Sequence, residues 1–154
     1  MTLDERYLPA LHEALAGLQR AADNLRFTLS RVDHLLPLDG KAVGRLTAED
    51  RERLDALAAR YSRCQQMAGN AFKALALAEA EPQPRFIDLL TLMHKRGLID
   101  SVAEWDAQRD LRNNAAHIYL SAEAEVIAFY YAVAESAGRV AEYADRLAAY
   151  VARF

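Results

Sequence analysis

The 154-residue chain has one cysteine, six glycines, four prolines and a single tryptophan, and nowhere about 18 apolar residues in a row. Each shortage excludes something. With Cys64 alone, no disulfide can form within the chain; its place between Tyr61 and Met67 at helical spacing reads as a small core residue rather than a reactive thiol. Few glycines and prolines leave little material for the tight turns of a sheet protein. The missing apolar run argues against a membrane span, and acidic Asp4 and Glu5 near the start argue against an export signal, so the cytoplasm is the expected location. Net charge is −3, so the chain lacks the overall basic character of a non-specific nucleic-acid binder, and any RNA contact must be local.

Alanine and leucine, both strong helix formers, dominate what is present. Apolar residues make up 53% of the chain against 27% charged, a globular balance rather than a disordered one. At this length one domain, residues 1–154, can bury its own core.

Periodicity predicts five amphipathic helices, three long and two short. Thr2 with Glu5 reads as a capping box opening the first, and Pro9 is tolerated near its start. Leu8, Leu11, Leu15, Leu18, Ala22, Leu25, Leu29, Val32 and Leu36 then form one stripe. Pro37 and Gly40 are expected to end it, with a loop at 39–46. Thr47 and Asp50 suit the start of a second helix, striped by Leu54, Leu57, Tyr61, Cys64, Ala68, Ala71 or Phe72, and Leu75, and stopped before Pro82 and Pro84. The first two helices should pack antiparallel. Phe86, Leu89, Leu90 and Met93 mark a short third helix ending at Lys95, Arg96 and Gly97. Ser101 and Glu104 open a fourth, and Ser121 with Glu123 and Glu125 suits the start of a fifth that continues through Val126, Val133, Val140 and Leu147. The fold class is all-α, an up-and-down helical bundle.

The polar interruption of this pattern is WDAQRDLRNNAAHIY, residues 105–119, which holds Arg112, Asn113, His117 and Tyr119. On a regular helix Arg112 and His117 point about 140° apart. Arg112 shares a stripe with Val102, Trp105, Arg109, Ala116 and Tyr119, while His117 lies over Asp106, Asp110 and Asn113. Bringing the two together requires the helix to unwind near His117, or a second subunit. A purely structural account is also open: Arg112 paired with Asp110 or Glu104, His117 favoured at a helix end, Tyr119 in the core.

The spacing Arg-Asn-x-x-x-His-x-Tyr, from Arg112 to Tyr119, resembles the HEPN signature in the form found in HepT-type toxins. The likeness extends over GLIDSVAEWDAQRDLRNNAAHIY and the alanine-rich last helix; before residue 85 it is only that of generic bundle helices. It implies a four-helix-bundle-like HEPN fold and a homodimer whose arginines and histidines converge in an interface cleft. It further implies a metal-independent endoribonuclease, Arg112 and His117 being the catalytic pair and Asn113 supporting. The partner it implies is a minimal nucleotidyltransferase antitoxin, encoded alongside, that transfers AMP to Tyr119. The implied chemistry is reasonable: RNA carries its own 2′-hydroxyl nucleophile, a histidine near neutral pKa moves protons, and an arginine holds phosphate. The alternative is a non-catalytic substrate-binding or regulatory subunit of the nucleotidyltransferase. A helical dimerisation module with no nucleic-acid role is a third.

Other constellations carry less. His12, His34 and His94 have no ligand partners at metal spacing, so no metal and no cofactor is expected. The arginines at 45, 51, 53, 60 and 63 interleave with acids as a solvated face. Tyr130, Tyr131, Tyr143 and Tyr150 fall on or beside the apolar stripe, as core or dimer packing.

Overall fold

The computed structural model describes residues 2–36, 44–83, 85–120 and 122–154, the side chains of Tyr119 and Leu120 excepted. Pro37, Gly40, Pro84 and Ser121, to which turns and caps were assigned above, lie outside the described residues. Five α-helices are present among those described: α1 (Leu8–Val32), α2 (Ala48–Ala78), α3 (Phe86–Lys95), α4 (Val102–Asn114) and α5 (Glu123–Val151). No described residue is in a strand, so the chain is an all-α helical bundle.

Local signals account for most boundaries. Thr47 Oγ1 accepts from the Asp50 N–H, and Asp50 returns the bond from the Thr47 N–H, both at 3.1 Å, closing the expected capping box of α2. Ser101 caps α4 by accepting from the Glu104 N–H at 3.0 Å. At the end of α3, Gly97 has φ +73°; its N–H donates to His94 O and the Leu98 N–H to Met93 O, a Schellman turn that buries Leu98. The end of α2 repeats this turn with Ala80 at φ +57°, where glycine would sit without strain. The first helix corrects the sequence reading. Asp4, not Thr2, is the N-cap: its carboxylate accepts from the Arg6 N–H at 3.0 Å and opens a 3-10 turn, Glu5–Tyr7, that leads into α1. A carboxylate two residues before the N–H it accepts closes a short local loop that needs no contribution from Thr2.

The Asp4 N–H donates to Ala78 O at 2.7 Å, and Arg60 donates to Thr28 Oγ1 at 2.6 Å, so α1 and α2 run antiparallel as expected. Along α2, Asp55, Tyr61 and Glu79 bond in turn to Tyr130, Ser136 and Tyr150, so α5 runs parallel to α2. The parallel pair requires a long crossover, which α3 and α4 supply. Both α1 and α4 pack on α2 and α5, and because Asp100 bonds to Arg146 while Leu111 shares a hollow with Ala132, α4 runs antiparallel to α5. The core is the predicted one, with Leu11, Leu18, Leu25, Leu57, Tyr61, Cys64, Phe72 and Leu75 fully buried. Burial pushes the Cys64 thiol up to about 12, the opposite of an activated cysteine. No helix among the described residues is long and apolar enough to cross a membrane.

Candidate functional site

What fixes α4 is aromatic packing plus two buried amides. Trp105, 3% exposed, packs its ring at a tilt 5.6 Å from Phe72 of α2 and 5.4 Å from Tyr143 of α5. Gln65 of α2, fully buried, donates its Nε2 to Trp105 O at 3.1 Å. On the other side Tyr143 donates to Gln108 Oε1 at 2.7 Å. Burial raises the Tyr143 phenol well above its ordinary range, against the lowering effect of Gln108, so that hydroxyl remains a donor at neutral pH. Two turns beyond the Trp105 anchor comes Arg112.

Arg112 is half-buried and faces a hollow of about 230 Å³ between α2, α3 and α4. Arg109 and Trp105 share that hollow, as the predicted stripe requires. From α2 come Gln66, Asn70 and Lys73, and from α3 comes Phe86, 37% exposed, with the Lys73 ammonium 5.6 Å from its ring centre. No aspartate or glutamate lines it, whereas four other hollows among the described residues each include at least one glutamate. Neither carboxylate suggested as a partner for Arg112 takes that role. Glu104 accepts from Gln108 and, at 3.5 Å, from Arg139, and Arg112 is in no ion pair or hydrogen bond among the described residues. Arg109 has only an exposed contact with Asp106 at 3.4 Å, both side chains 42% exposed, of the kind worth little.

The regular helix stops at Asn114, and Ala115–Leu120 continue as a 3-10 turn. This tightening, rather than an unwinding, adds about 20° per residue, so His117 swings by about 60° off the Asp106 and Asp110 side and over Asn114. His117 is accordingly exposed in a separate hollow of about 470 Å³ against α5, with Asn114, Ile118, Glu125 and Phe129. The same rotation leaves about 160° between Arg112 and His117. Within one chain the fold therefore does not bring these two together. Asn113 is exposed and lines neither hollow; Asn114 is the asparagine beside His117. Tyr119 has its backbone in the 3-10 turn, and its side chain lies outside the described residues.

Sequence reasoning missed Gln66, Asn70, Lys73 and Phe86 around Arg112, and Asn114 and Glu125 around His117. The first three had a signal, being spaced i, i+4, i+7 on one face of α2. The tyrosines of the last helix divide: Tyr130, Tyr143 and Tyr150 are buried, and Tyr131 is 45% exposed. The basic face of α2 is solvated as expected, with Arg53 at 3.5 Å from Asp50 and Arg60 turned onto α1.

Compared with protein-family models, curated proteins and solved structures, the chain finds no match. What fold and site define is an all-α bundle with an acid-free basic hollow on one side of α4 and a histidine on the other.

Proposed function

We propose that the chain is a HEPN protein of the HepT type, a metal-independent endoribonuclease that works as a homodimer in the cytoplasm. The observation that carries this reading is Arg112, half-buried and without a carboxylate partner, inside the Arg-Asn-x-x-x-His-x-Tyr spacing. An arginine left with its five donors unspent suits a phosphate better than a structural pairing.

Since Arg112 and His117 diverge on one chain, the reading requires a second copy across a two-fold axis, which adds another arginine and another histidine to a shared cleft. One neutral His117 takes the proton of the RNA 2′-hydroxyl. The 2′-oxygen bonds to phosphorus, the bond from phosphorus to the 5′-oxygen breaks, and the partner's His117, protonated, supplies that oxygen with its proton. Arg112 stabilises the charge on the phosphoryl oxygens. Tyr119, on the same turn as His117, is where a nucleotidyltransferase antitoxin would attach AMP; the added anion repels RNA by the logic of phosphorylation.

The divergence of Arg112 and His117 itself favours a second reading, in which the chain is a non-catalytic subunit that holds a nucleotide for the transferase. Inducing the wild-type chain alone, beside His117→Ala, separates the two. Growth arrest and RNA cleavage that vanish with His117→Ala are expected of the ribonuclease. A harmless wild-type chain that still binds the transferase would establish the subunit instead.

A further inference from the structure

The hollow around Arg112 extends well past the signature residues, and three of its features point the same way. First, Lys73, Arg109 and Arg112 line it from two helices and no acid does, Asp106 touching only Arg109 at 3.4 Å in an exposed pair, so the local field is positive in a chain whose net charge is −3. Second, Phe86 stands half-open at the rim, 6.3 Å from Trp105 between ring centres and with the Lys73 ammonium 5.6 Å from its own, so a base that stacks there takes the place of that ammonium. Third, the floor holds an orphan. Gln65 must turn its amide nitrogen to the Trp105 carbonyl, which can only accept, so Oε1 points elsewhere; it is buried and has no hydrogen-bond donor. A buried acceptor left unmet costs about 1–3 kcal/mol and calls for an explanation.

We infer that this hollow is a binding subsite for one nucleotide unit of single-stranded RNA, adjacent to the cleavage position and resting on the ribonuclease reading above. Lys73 and Arg109 take the phosphate next to the one held by Arg112. Phe86 takes the base on its face, and a ribose hydroxyl or base amino group supplies the donor that Gln65 Oε1 lacks. Gln66 and Asn70, both exposed on the α2 wall, offer amide groups to the base edge or sugar. Size favours a strand over a free nucleotide: at about 230 Å³ the hollow is smaller than the roughly 300–1,000 Å³ of pockets that enclose a whole small molecule. It suits one unit of a ligand held on both sides of it. Cations that track a backbone beside an aromatic platform are the common design of single-strand sites.

The test measures binding of a fluorescein-labelled oligo-uridylate by anisotropy, in a His117→Ala background so that the strand survives, across a range of salt. Lys73→Gln with Arg109→Gln should weaken binding at least tenfold and flatten the slope of log affinity against log salt by about 0.7 for each phosphate that is no longer neutralised. Phe86→Ala should weaken binding about tenfold with the slope unchanged. Arg31→Gln with Arg53→Gln, the same reduction of charge at a hollow on the α1 and α2 side, should leave affinity within twofold. Equal weakening by both pairs would reduce the effect to net charge and overturn the subsite, as would unchanged affinity in the Lys73 and Arg109 variant. AMP that displaces the strand and depends on the same residues would overturn the assignment to a strand. Should the double variant not fold, Lys73→Gln alone changes one exposed side chain and is held to the same slope. RNA bound through these residues by a wild-type chain that never cleaves would sink the ribonuclease and leave the subsite standing.

Discussion

Arg96 and Arg112 are both partly buried arginines near the ends of short helices, and they are used in opposite ways. The Arg96 guanidinium bonds to Glu79 at 2.8–2.9 Å and to Glu81 at 3.3 Å, and Glu79, its side chain fully buried, takes a third bond from the Tyr150 hydroxyl at 2.6 Å. That cluster ties the end of α2 to the end of α3 and the end of α5. Arg112 has Lys73 and Arg109 beside it and no counter-charge. Nothing in local sequence distinguishes the two. What differs is whether a carboxylate from another element arrives at the same depth. A buried cation that the fold neutralises belongs to the fold, and one that it leaves alone is available to something else.

The largest test of the closed end is alkali. Burial, then the bond to Glu79, pushes the Tyr150 phenol up to about 12, and burial does the same for Tyr61, which shares a hydrogen bond with Ser136. Both folded values lie above the ordinary 10, so the native state prefers the protonated phenol. The stability this contributes is complete below about pH 10 and is lost as pH rises through 12. Absorbance of the phenolates should show these tyrosines ionising together with loss of helical circular dichroism, and Tyr150→Phe should move that transition upward. Ionisation near pH 10 with the helices intact would mean the closed end is open to water.

Next in size is Glu79→Ala. Breaking a wholly buried ion pair by removing one partner costs about 3–5 kcal/mol. Arg96 keeps 23% of its side-chain exposure and its bond to Glu81, so the destabilisation here should be nearer 2 kcal/mol, read from urea denaturation. RNA binding should be untouched. A change below about 0.5 kcal/mol would show that the cluster holds nothing together.

How far the sequence foretold each region follows from the reach of the interactions. Thr47 with Asp50, Ser101 and Gly97 work across three residues or fewer, so the caps and stops were visible in the string, and the stripes through Leu57, Tyr61 and Phe72 identified the core. The start of α1 was misread because Thr2 and Asp4 both stand within reach of the same turn, and only geometry decides between them. Around Arg112 the decisive neighbours, Lys73 and Phe86, come from other helices about 26–39 residues away in sequence, beyond any local pattern. The placement of His117 escaped for another reason: no glycine or proline marks the change from α to 3-10 winding at Asn114, and that change alone moves the side chain to a different face.

The smallest expected effect on stability is also the one that sharpens the contrast most. Arg112→Gln removes a half-exposed guanidinium that makes no ion pair, so the urea midpoint should correspond to a change within about 0.5 kcal/mol, where Glu79→Ala costs several times that. Its charge shares the hollow with Lys73 and Arg109, and relief of that repulsion offsets part of the packing that the longer side chain provides. If the chain is the ribonuclease proposed above, cleavage of RNA by the same variant should fall by at least about a hundredfold, the usual effect of removing one donor to a transition-state charge. A destabilised Arg112→Gln would place this arginine with Arg96 as a member of the scaffold. A stable protein that cuts RNA as well as the wild type would leave the guanidinium without a part in the chemistry.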